Sequence, residues 1–217
     1  MDIELGSIIA YRQWVLGKKN NLPVLLPTIM SSTPWPYGTV EAMCHIVRSH
    51  HAPVRGCTCG IYAMKTPPWE NLRIPRELPV GTFINGTVEL FGKVIIHEYG
   101  YRAQYGRVTS LSDIVDCSMC RQPFAIGSNK LTYLTIIVPH QVRPIKQTKR
   151  IIYAFCDECR NKAYEKAKDK RAHGISNVEI LATAAGVIME HSIYLELTSD
   201  SEVREMYEGI RKLYLSD

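Results

Sequence analysis

The sequence predicts an α+β protein: a small β-barrel-like N-terminal domain with a zinc-stabilised loop, then a metal-held hairpin and helix, then a helix–strand–helix. Three observations lead there. Residues 6–112 string together short β-branched and aromatic runs broken by Gly and Pro. Two Cys-x-x-Cys pairs, Cys117/Cys120 and Cys156/Cys159, bracket 35 residues, enough for a β-hairpin. After Gly174, two Ser-x-x-Glu signatures announce helix starts. The expected parts are therefore residues 1–112, 113–173 and 174–217.

In the first part, Ile8 to Leu16 is a β-rich run, Gly17-Lys-Lys-Asn-Asn a hairpin loop, and Pro23 to Met30 the returning strand. Thr33-Pro-Trp-Pro-Tyr-Gly38 is a rigid turn leading to a short helical patch from Thr39 to Val47, and Cys59 to Met64 is a strand. From Gly81 to Arg107, Val88 and Leu90 alternate with Glu89, Phe91 and Lys93, the period-two pattern of a half-buried strand. Gly86, Gly92 and Gly100 mark bulges or bends of a tightly curled sheet. Further on, residues 157–172 read as a helix beginning on the second cysteine pair. Ser176 with Glu179 opens a helix to Ala185, Val187 to Leu197 is strand-like, and Ser199 with Glu202 opens an amphipathic helix. Its apolar stripe is Val203, Met206, Tyr207, Ile210, Leu213 and Tyr214. That stripe must pack on the protein or on a partner.

The N-terminus lacks a basic-then-apolar leader and no apolar run reaches a membrane span, so the expected setting is cytoplasmic. Thiols stay reduced there, and Cys-x-x-Cys reads as metal chemistry. Two pairs close a tetrahedral zinc and leave no open position, which makes the ion structural. The other three cysteines, Cys44, Cys57 and Cys59, fall within 16 residues, interleaved with His45, His50 and His51. A Cys3His site of Cys44, His51, Cys57 and Cys59 would be a second zinc. His51 is preferred over His50 because it directly precedes Ala52-Pro53, and the proline restrains its loop. Simple burial of reduced thiols is the competing explanation.

Knuckle, hairpin, then a second knuckle on a helix N-terminus resembles a treble-clef zinc finger over residues 113–173. The first part resembles PUA-like barrels, many of which bind RNA or modified bases. Its Cys44…His51-Ala-Pro…Cys57-x-Cys59-Gly-Ile-Tyr-Ala run resembles a pattern in uncharacterised bacterial proteins. The finger also resembles HNH-type nucleases, with His140 near the position of their base. However, no His, Asn, Asp or Glu lies between Gln141 and Phe155 to complete a metal shell. A nuclease cannot stabilise its transition state without that ion. Deaminase, phosphate-loop and Ser-His-Asp motifs are absent.

Net charge is +5, yet Arg143 to Arg171 alone holds ten Lys/Arg against four acids. That concentration suits a polyanion, although a solvated helix face with i,i+4 ion pairs accounts for part of it. Lys146, Lys149, Arg150, Arg160 and Lys162 are the expected nucleic-acid contacts. Arg102 joins them, set among Tyr99, Tyr101 and Tyr105, where a bidentate fork and stacking faces coincide. Tyr11, Arg12 and Trp14 have the same character. The expected function is thus a non-enzymatic zinc-binding adaptor or regulator that binds nucleic acid. The alternatives are a module docking an acidic transcription or replication factor, and a degenerate HNH-type nuclease. No small-molecule substrate is identified.

Overall fold

The computed structural model describes residues 2–3, 6–19, 22–28, 34–44, 46, 50–67, 82–142, 145–168, 174–184 and 194–215. For residues 2–3, 136–142, 145–150 and 194–195 it describes the backbone alone. The strands are β1 (Asp2–Ile3), β2 (Ile8–Lys19), β3 (Leu22–Pro27), β4 (Val40–Glu41), β5 (Ile61–Met64), β6 (Phe83–Ile96), β7 (Gly100–Asp116), β8 (Pro123–Ala125), β9 (Leu131–Val142), β10 (Ile145–Cys156) and β11 (Tyr194–Thr198). The helices are α1 (Asp157–Lys166), α2 (Asn177–Ala184) and α3 (Asp200–Leu215). This is an α+β fold built on one mostly antiparallel sheet. No helix among the described residues is long and apolar enough to cross a membrane.

The long hairpin β6–β7 is the spine of the N-terminal half. Its alternation is as expected: Val88 and Leu90 are fully buried while Glu89 and Phe91 are partly open. Gly86 is required by close approach, because a Cβ there would sit 2.1 Å from the Ser110 carbonyl oxygen. Gly92 has φ +70 at a register shift between Phe91 and Val94, where the strand bulges and curls. β2 pairs with β6 from Ile8↔Leu90 to Val15↔Phe83, and β5 pairs with β7. The sheet returns from β5 to β2 through the Tyr11↔Met64 bridge alone, so it curls like a barrel without clear closure.

Two local expectations change. No helix spans 39–44: Val40 and Glu41 pair with Gly106 and Tyr105 as β4, because the edge of β7 offers backbone partners there. The rest of that segment, His45 and residues 47–49, lies outside the described residues. Gly17, Lys18 and Lys19 remain in β2, paired with Val24, Pro23 and Leu22, so the hairpin loop is shorter than expected.

The sheet continues into the second half. β10 pairs with β2 over Lys149↔Lys19, Arg150↔Lys18 and Ile151↔Gly17, and β9 and β11 extend it. The expected 112/113 boundary falls within β7. α3 lies across both halves; of its expected apolar stripe, Val203, Met206, Tyr207, Ile210 and Tyr214 are buried in the main core, while Leu213 is exposed. Tyr207 donates to the Ser112 carbonyl at 2.7 Å. Tyr214 donates to that of Trp35 at 2.6 Å and accepts from the Leu25 N–H at 3.2 Å. Burial raises the pKa of both phenols, Tyr207 to about 12. Both capping boxes form: Ser176 and Ser199 exchange hydrogen bonds with Glu179 and Glu202 at the starts of α2 and α3.

Candidate metal centres and basic ribbon

Cys117, Cys120, Cys156 and Cys159 converge, all four sulfurs lying within 4.8 Å of one another. Local backbone explains why. Cys117 follows the end of β7, and the chain reverses through a knuckle closed by the Arg121 N–H to the Cys117 carbonyl at 2.9 Å and the Cys117 N–H to that of Gln122 at 2.9 Å. Arg121 takes φ 65, a left-handed conformation that tightens the reversal and costs a non-glycine residue about 1 kcal/mol. Register then brings the other pair near. Cys156 ends β10 opposite Leu131 and serves as the N-cap of α1, with Cys159 on the first turn.

The spacing fits a bound ion. A tetrahedral centre with sulfur arms of about 2.3 Å has sulfur–sulfur edges of about 3.8 Å, and Cys120 and Cys156 are 3.8 Å apart. None of the seven cysteines is in a disulfide. Burial alone would raise the Cys117 pKa, but N–H groups of Cys120, Cys156 and Met119 outweigh it and lower it. Cys120 and Cys159 are raised, first by lost hydration and then by neighbouring thiols. A divalent cation at the centre would favour all four thiolates at once.

The second group is Cys44, His50, Cys57 and Cys59, also within 4.8 Å. The Cys44 and Cys57 sulfurs are 3.7 Å apart, and His50 Nε2 is 3.2 Å from the Cys59 sulfur. The expected imidazole is therefore corrected from His51 to His50. His51 is exposed and lies outside the cluster, whereas His50 is partly buried within it. The Cys59 thiol is raised by burial.

Arg102 is also corrected. It is 6% exposed, so it is not offered to a partner. Its Nη1 donates to the Cys57 carbonyl and, at 3.1 Å, to that of Cys59, while Nε donates to His97 Nε2 at 2.9 Å. It thus holds the Cys57-Thr58-Cys59 loop against β7. Its aromatic neighbours divide. Tyr99 is exposed, Tyr101 packs against the core, and Tyr105 stacks on Phe91 with centroids 5.5 Å apart.

Arg160 bonds Asp157 at 3.0 Å and Thr132 at 2.7 Å, and Lys162 pairs with Glu158, so the two helix cations are partly committed to their own helix and hairpin. The side chains of Lys146, Lys149 and Arg150 lie outside the described residues, but their backbone is in β10. The register there places Lys149 opposite Lys19 and Arg150 opposite Lys18. Lys18 and Lys19 were not among the expected contacts. Only the strand pairing, which no local pattern encodes, brings them to the basic segment. Comparison with family models, curated proteins and solved structures gave no match.

Proposed function

We propose that this protein is a non-enzymatic, zinc-stabilised binder of nucleic acid, holding two structural zinc ions in a treble-clef-like finger and a Cys3His loop. Thiolate-rich tetrahedral donor sets suit zinc, and with four donors in each set no ligand position would be left for a reactive water. Cys117, Cys120, Cys156 and Cys159 would hold one ion; Cys44, His50, Cys57 and Cys59 would hold the other.

The observation that carries the partner is the like-charge register Lys149↔Lys19 and Arg150↔Lys18. Like charges directly opposite across a ladder destabilise it. Adjacent strand positions fall on opposite faces, so each face of the ladder keeps one like-charged register pair, an arrangement better suited to a phosphate backbone than to the sheet's own stability. The nuclease alternative is weakened by distance along the hairpin. His140 pairs with Gln147, nine residues along β9 from the Leu131↔Cys156 pair, a strand length of about 30 Å from the finger.

Gel shifts on single-stranded DNA, duplex DNA and RNA over a salt series test the reading. Binding should weaken steeply with salt, and K149E/R150E should lower the slope by about 0.7–0.9 for each phosphate that is no longer neutralised. An absence of binding at low salt rules the reading out. Plasmid cleavage with Mg2+ or Mn2+ that disappears in H140A would favour the nuclease.

A further inference from the structure

Arg12, Trp14 and Trp35 form a second arrangement, apart from the metal centres and the basic ribbon. Arg12 and Trp14 are two residues apart on β2 and so project from the same face. Trp35 lies against both. The Arg12 guanidinium sits 4.3 Å from its ring centroid, and the Trp14 ring meets it edge-on at 5.8 Å. Trp14 and Trp35 are 0% and 5% exposed.

Each of these side chains has an unmet donor. Arg12 Nε, Trp14 Nε1 and Trp35 Nε1 are buried without a hydrogen-bond partner among the described residues. Buried donors are almost always paired, and an unpaired one costs roughly 1–3 kcal/mol. Three in one contiguous group are far from a random scatter. Arg12 adds a permanent charge, and burial lowers its pKa to about 10. Its Nη1 is used on the Tyr62 carbonyl, and the described ion pairs give it no carboxylate. The Trp35 face offsets some of the lost hydration, but it satisfies no N–H. The Nε edge, one side of the guanidinium fork, is left for an anion.

We propose that Arg12, Trp14 and Trp35 form a binding site for a phosphate group. A tetrahedral group with several peripheral oxygens can accept from a guanidinium edge and from indole donors in other directions, whereas a planar carboxylate is satisfied by the fork alone. The group could be inorganic phosphate or the phosphate of a nucleotide. Both present the same oxygens. The inference does not rest on the metal centres or on the ribbon.

The test is a titration of the intact, metal-loaded protein with inorganic phosphate, followed by the indole N–H resonances, assigned through W14F and W35F. The Trp14 and Trp35 signals should shift saturably, and R12Q should weaken binding tenfold or more. W35F keeps an aromatic ring and loses the donor. It should also weaken binding and serves if R12Q does not fold. A nucleoside monophosphate binding more tightly than phosphate identifies a nucleotide, while equal affinity identifies the free anion. K149E/R150E should bind phosphate here as the parent does, which separates this site from the ribbon. No shift with phosphate, an equal response to acetate, or undiminished binding in both R12Q and W35F would overturn the proposal.

Discussion

Arg102 grips two carbonyls of the loop from which Cys57 and Cys59 would reach the proposed ion. Partners that hold ligands in place typically change metal affinity 10–100-fold when removed. Arg102→Ala should therefore weaken metal retention at Cys44/His50/Cys57/Cys59 by about that factor in a chelator competition, with the four-cysteine centre unchanged. Arg102→Lys should recover little, since an ammonium cannot reproduce the fork. The neighbouring histidines give a second prediction. His50→Ala should release one metal equivalent and His51→Ala none, as read by metal analysis of the purified variants. At this scale the sequence was legible for chemistry and not for direction. Seven cysteines in two groups indicated the donors, but which of two adjacent histidines turns inward is set by the three-dimensional course of the loop, which residue type and spacing do not encode. Arg102 likewise reads as a surface cation until β5 and β7 are paired and the loop lies over it.

The β2–β10 ladder places cations face to face, so one substitution there should act oppositely on stability and on binding. Lys19→Glu, opposite Lys149, should raise thermal stability by about 0.2–1 kcal/mol and at the same time weaken nucleic-acid binding. A drop in both quantities would point to structural damage instead. The capping boxes give a pH dependence. Hydrogen bonds from Ser176 and Ser199 hold Glu179 and Glu202 below the ordinary carboxylate value of 4.5. Folded values below unfolded ones mean that the contribution is complete above that range and fades as pH falls through the depressed values. Helicity measured by circular dichroism should decline in that acid window, and Glu179→Gln/Glu202→Gln should flatten the response. These two helix starts were plain in the sequence because a capping box is local. The segment from 39 to 44 misled, because the strand pairing at Val40 and Glu41 is supplied by β7, some sixty residues away.

At the scale of the whole molecule, a single sheet links the loop that carries one candidate metal group to the hairpin that carries the other, through β5, β2 and β10. Chelation should therefore lower the melting temperature of the whole chain, because metal affinity at such sites is folding free energy. Calorimetry of the loaded protein should show one cooperative transition. Two well-separated transitions would mean that the halves fold independently. The sequence suggested three successive parts because its cysteines, glycines and caps are grouped in order. The pairings of Lys19 and Gly17 and the hydrogen bonds of Tyr214 that run between these parts are contacts too distant for any periodic pattern to register.

Tyr214 also bears on the order in which the protein is made. Its hydroxyl satisfies Leu25 and Trp35, 189 and 179 residues earlier. A chain emerging from the ribosome must carry that early hairpin and tryptophan uncovered until its last described helix follows. A product that stops before Asp200 would leave Leu25 and Trp35 without their cover. Such fragments should be the ones that proteases and chaperones capture, and the late docking of α3 should set the pace of refolding.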